Sequence, residues 1–108
     1  MFVKGLDARR ALMANIVVCS AAENDYTESL KWYAERSVKA ANDFETEFGL
    51  ALHQIVASPE RFPSCDARHR YFLLRRFPFR IIFRVFRDEI IVIAVAHNSR
   101  SINYWADR

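Results

Sequence analysis

A chain of 108 residues with 52% hydrophobic side chains, 9 Phe among them, can build one compact core and not two. Two glycines exclude a glycine-rich phosphate loop or a dinucleotide fingerprint, two cysteines exclude a disulfide framework, and no apolar run approaches the roughly 20 residues that cross a bilayer. The net charge of +3 hides a division: residues 1–60 carry 6 basic and 9 acidic side chains, whereas residues 61–108 carry 10 arginines, no lysine and 4 acids.

The N-terminus has no apolar stretch followed by a small-residue cleavage site, so the expected compartment is the cytoplasm and no membrane partner is expected. Residues 1–14 show no period and read as an extension, with Met13 as a candidate natural start; 15–108 read as a single domain. NIVVC (15–19) is β-branched and reads as a strand. Ser20 and Glu23 then have the spacing of a capping box, and a helix follows with Ala22, Tyr26, Leu30, Tyr33 and Ala34 on one stripe. Trp32 and Tyr33 are expected in the core between helices. Ser37 is placed to cap a second helix, whose Ala41, Phe44, Phe48, Ala51, Leu52 and Ile55 keep helical spacing until Pro59 ends it. Asp43, Glu45 and Glu47 fall off that stripe and read as solvated.

From Arg70 the period changes to two. RYFLLRR (70–76), FRIIFRVFR (79–87) and EIIVIAVA (89–96) read as three strands, divided by Phe77-Pro78 and by a tight turn at Arg87-Asp88. The middle strand sends Phe79, Ile81, Phe83 and Val85 to one face and Arg80, Ile82, Arg84 and Phe86 to the other. The third strand is apolar on both sides and belongs inside the sheet, and residues 101–108 are expected to form a short helix. The fold class is α+β: an N-terminal strand, then an antiparallel helix hairpin covering one face of a small antiparallel-rich sheet, with a groove on the other face.

The arginine-only second half presents planar donor forks that suit phosphate or carboxylate, and points to an anionic partner. A solvated sheet face accounts for the same residues equally well. Cys65 and His69 lack two further ligands, so no metal site is expected, and no cofactor.

WYAERS (32–37), Phe44, IVASPERFP (55–63), RYFLLRRFPFRIIFRV (70–85) and IIVIAVAHNSRSINYW (90–105) occur in one order from Asn15 onward. Together they resemble the RelE/ParE toxin superfamily, in the branch called plasmid stabilisation proteins; Phe79 and Ile102-Asn103 stand where that branch often has Tyr and a proline. The resemblance implies the fold just derived and a toxin of a type II toxin–antitoxin pair, held in a hetero-oligomer by a cognate antitoxin. The target it implies is either DNA gyrase, bound without catalysis, or mRNA on the ribosome, cleaved without metal.

For cleavage, the 2′-OH must be directed at the adjacent phosphate by a base, an acid and surrounding cations. His97 is the candidate base or acid, Arg100 and Arg84 hold the phosphate, and Tyr104 supplies a hydroxyl or stacks on a base. Arg75, Arg76, Arg80, Arg84 and Trp105 are the candidate phosphate or antitoxin groove. Each has a plainer reading: His97 bonded to a loop, Arg84 paired with an antitoxin carboxylate, Arg75 and Arg76 bracing the hairpin, Trp105 plugging the sheet. The absence of lysine after residue 60 leaves few proton-transfer groups, since arginine stays protonated, and this weights the target towards gyrase.

Overall fold

The computed structural model describes residues 15–100 and 104–108 and orders them as β1 (Ile16–Val18), α1 (Ser20–Ala34), α2 (Val38–Ala57), a 3-10 turn (Pro59–Arg61), β2 (Arg70–Leu73), β3 (Phe79–Phe86) and β4 (Glu89–His97). The sheet order is β1-β4-β3-β2; β1 runs parallel to β4 and the other pairs are antiparallel. β4 thus has a neighbour on each side, as its two apolar faces require. The extension and alternative start expected in residues 1–14, and the first part of the expected terminal helix, lie outside the described residues. Residues 104–107 are turns, tied by the Arg108 N–H on the Trp105 carbonyl at 3.0 Å.

The helical period of α2 is realised in full: Ala41, Phe44, Phe48, Ala51, Leu52 and Ile55 are all buried. Ser37 caps it, its hydroxyl accepting from the Ala40 N–H at 3.1 Å. The start of α1 differs from expectation. The Cys19 N–H continues the parallel ladder onto the Val92 carbonyl at 3.1 Å, which keeps Cys19 extended and makes it the N-cap. Ser20 is therefore already helical, and the Ser20–Glu23 capping box does not form.

The core between hairpin and sheet is aromatic at one end. Phe44 lies 5.3–5.6 Å, ring to ring, from Tyr26, Tyr33, Phe77 and Phe79. Tyr33 occupies its expected place, but Trp32 does not: it is 52% exposed, with the Arg36 guanidinium 3.8 Å above its ring. Adjacent helical positions lie about 100° apart, and with Tyr33 turned to the core Trp32 falls on the flank of α1. Glu47, expected to be solvated, instead accepts the backbone N–H groups of Arg75 and Arg76 and the Arg76 Nε at 3.3 Å. That carboxylate anchors the chain where it leaves β2, which is why the first strand of the meander ends at Leu73 and not at Arg76.

Two backbone features decide where side chains go. The register of β3 on β4 shifts between Ile82 and Phe83, whose partners are Ala94 and Val92, so Ile93 is an extra residue in β4. The bulge puts Ile93, Ala94 and Ala96 with Ile82 and Trp105 in a second small core on the face away from the helices. The β3–β4 turn is Arg87-Asp88, at φ 52° and 65°. Both positions lie in the left-handed region that the tightest hairpins demand and that Asn-Gly fills most easily. Replacing Arg87-Asp88 by Asn-Gly is expected to stabilise the fold by about 1 kcal/mol, a rise of roughly 4–8 °C in melting temperature; an unchanged or lower melting temperature would contradict the strain assigned to this turn.

Candidate functional site

A cleft of about 430 Å³ opens between α1 and the end of the sheet where β3 begins and β4 finishes. Asp25, Glu28 and Trp32 form the helix side; Pro78, Phe79, Val95, His97, Arg100 and Tyr104 form the sheet side. The three residues singled out for chemistry are therefore brought together. Register does this for His97, which pairs with Phe79 and packs edge-on against its ring, the two centroids 4.9 Å apart. Arg100 lies with its guanidinium 4.3 Å from the Tyr104 ring centroid.

Their states matter more than their proximity. The Ser99 N–H donates to His97 Nδ1 at 3.0 Å, so Nδ1 carries the lone pair and the neutral ring holds its proton on Nε2. The lone pair that a general base needs is already engaged by a loop amide. Burial, and then the nearby Asp25 carboxylate, push the Tyr104 phenol above its ordinary value, so at neutral pH it is a hydroxyl and not a phenolate.

Asp25 organises the cleft. β1 stops at Val18, so β4 loses its parallel neighbour beyond Val92. The Val95 N–H then donates to Asp25 Oδ2 at 3.1 Å, while Arg108 Nη1 and the Cys19 thiol donate to the Ile93 carbonyl at 3.1 and 3.4 Å. Arg108 also pairs with Asp25, at 2.7 Å. One carboxylate and one guanidinium thus satisfy the sheet groups left open beside the bulge and fasten the last described residues against α1.

The groove residues do not gather in that cleft. Arg80 pairs with Ala96 and Arg84 with Ile91, on the face away from the helices, where Arg80 lies over Tyr71 at 5.9 Å and Arg84 over Phe86 at 5.8 Å. Arg75 and Arg76 sit at the α2 side with Glu47. Trp105 is buried in the second core with its Nε1 lacking an acceptor among the described residues, and it touches His69 edge-on at 5.0 Å. It is a plug, not an open stacking platform. His69, 2% exposed, has Nδ1 2.9 Å from Asp66, whose carboxyl is held below its ordinary value first by the Arg68 N–H.

Residues 16–102 match the family described as ParE toxin of type II toxin-antitoxin system, parDE. The chain belongs to the ParE toxin family. The solved structure of a chromosomal ParDE TA system from P. aeruginosa contains a chain with the same fold, at TM-score 0.69 and 19% identity, covering 79% of this chain and 96% of that one. Among curated proteins none matches the sequence.

This ParE-family chain is therefore the toxin component of a type II toxin–antitoxin system, and its partner is a cognate antitoxin. The motif resemblance is borne out at the level of family and fold. The toxin's cleft gathers His97, Arg100 and Tyr104 as expected, but Arg80 and Arg84 are across the sheet from them. Asp25 was missed. Its one sequence signal is its place beside Tyr26 at the edge of the α1 apolar stripe.

Proposed function

We propose that this toxin inhibits growth in the cytoplasm by binding DNA gyrase, in the manner expected of its family, and not by cutting mRNA. The observation that carries this reading is the composition of the cleft around His97. A phosphorane needs converging cations, yet Arg100 shares the cleft with the acids Asp25 and Glu28, and Arg80 and Arg84 lie on the opposite side of the sheet. Arg108 is already paired with Asp25. The His97 lone pair is engaged by Ser99 and the Tyr104 phenol stays protonated, so neither group expected to move the proton is a ready base.

The competing reading, a metal-independent ribosome-dependent endoribonuclease, draws its support from the meeting of His97, Arg100 and Tyr104 in one cleft. Brief expression without antitoxin separates the two. DNA synthesis is expected to fall first, with the DNA-damage response induced and mRNA 5′ ends unchanged. New 5′ ends inside codons, with translation failing first, would overturn the gyrase reading and make His97 the first residue to replace.

A further inference from the structure

The hairpin end of the sheet lies roughly 24 Å along the strands from His97, seven residues at a strand's rise. There a second hollow, about 350 Å³, is walled by Arg68, Arg70, Arg84, Val85 and Phe86. Phe86 is 52% exposed and Val85 41%. The Phe86 ring carries two guanidinium groups, Arg84 at 5.8 Å and Arg87 at 5.2 Å. Stacking of this kind holds the guanidinium planes while leaving their N–H edges able to donate in pairs to a carboxylate. Arg84 Nε is shielded from water and has no acceptor among the described residues, so this cation is incompletely satisfied. Arg70 is fixed, Nη1 donating to the Phe62 and Glu60 carbonyls at 2.6 and 3.3 Å. Of the two acids at the wall, Asp66 is turned to the His69 ring and the amides of Arg68 and His69, and Glu60 sits on the rim.

We propose that this hollow docks an acidic segment of the cognate antitoxin, its carboxylates on Arg84, Arg68 and Arg87 and an apolar side chain on Phe86 and Val85. Charge complementarity selects an anionic partner, because Arg68, Arg70 and Arg84 line the hollow against two acids, of which Asp66 is already engaged by His69 and the Arg68 amide. The exposed apolar pair selects a protein over a nucleic acid, since a phosphate backbone has nothing to bury against Val85. Arginine beside a half-exposed aromatic is also the composition of protein-interface anchors. The proposal rests on the family, which gives the chain an antitoxin, and is independent of the gyrase reading. It places neutralisation contacts at the far end of the sheet from the cleft.

The test titrates the full chain with the antitoxin encoded beside it, comparing wild type with Arg84→Glu, Arg87→Glu and Phe86→Ala. Arg84→Glu is expected to weaken binding about 100-fold and the other two about tenfold, with more salt sensitivity in the wild type than in the charge reversals. A compensating acid-to-arginine change in the antitoxin is expected to restore binding to Arg84→Glu. Melting curves verify folding; Phe86→Ala and Arg87→Glu alter exposed side chains, so the proposal stays testable if Arg84→Glu misfolds. Affinities that stay within about threefold for folded variants would overturn the proposal. So would loss of binding to a short duplex DNA with antitoxin affinity intact, which would make the hollow a nucleic-acid surface. A wild-type chain that ignores its antitoxin would instead undermine the family-level partner.

Discussion

Phe44→Ala is expected to cost about 3–5 kcal/mol, the range for deleting a buried aromatic ring. Phe44 has no exposed surface and stands among Tyr26, Tyr33, Phe77 and Phe79, so the void would open where α1, α2 and the β3 entry meet. Two of the neighbours are fixed on α1 and the other two at the entry to β3, so they cannot all move in to fill it. Small domains are stable by about 5–15 kcal/mol, so this one change consumes much of the margin. Thermal unfolding should show a fall of roughly 15–30 °C, or no folded protein at all, at about 4–8 °C per kcal/mol for a domain of this size. A fall under about 5 °C would mean that the aromatic cluster is not the keystone of the hairpin's packing.

Asp25→Ala is expected to cost about 2–3 kcal/mol for a different reason. No large void forms. Instead the Val95 N–H, on a buried strand residue, loses its acceptor and the Arg108 guanidinium loses its counter-charge. Arg108→Ala should cost less, because Asp25 keeps the Val95 amide. A double-mutant cycle in thermal unfolding measures the coupling, expected at about 1 kcal/mol. Additive effects of the two changes would refute the shared role. Asp25→Ala should also loosen the Arg100–Tyr104 stack, since the 104–108 turn is tied to α1 through this carboxylate.

What the sequence showed clearly were features written in a local period or a local chemistry. Phe44, Phe48, Leu52 and Ile55 recur at helical spacing, Ser37 precedes an apolar run, and the alternation of β3 changes sides at every residue. Each is decided within a few positions of itself. What was hidden depends on groups far apart in the chain. Glu47 looks solvated until the backbone of Arg75 and Arg76 is brought to it, and Asp25 looks like an ordinary helix acid until β4 outruns β1. Trp32 reads as core by its size, although the α1 stripe runs through Tyr33 and leaves Trp32 on the flank. The site was legible in part for the same reason. His97, Arg100 and Tyr104 are near neighbours in sequence and arrive in one cleft together. Arg75 and Arg76 were grouped with Arg80 and Arg84 by spacing alone, and Glu47 draws the first pair to the helix side while the pleat sends the second pair to the opposite face.

The parallel pairing of β1 with β4 has a consequence for the toxin's life before it meets any target. Ile16 finds its ladder partner only at Ile90, and the polar clamp at Asp25 waits for Arg108. A sheet closed by strands so far apart in sequence pays its largest loop-closure entropy late, so the finished shape is the last thing the folding chain reaches. During synthesis the helix hairpin can form while the sheet has no closing strand. Harm is thus deferred until the sheet closes, an interval in which an antitoxin can be the first surface the new toxin encounters.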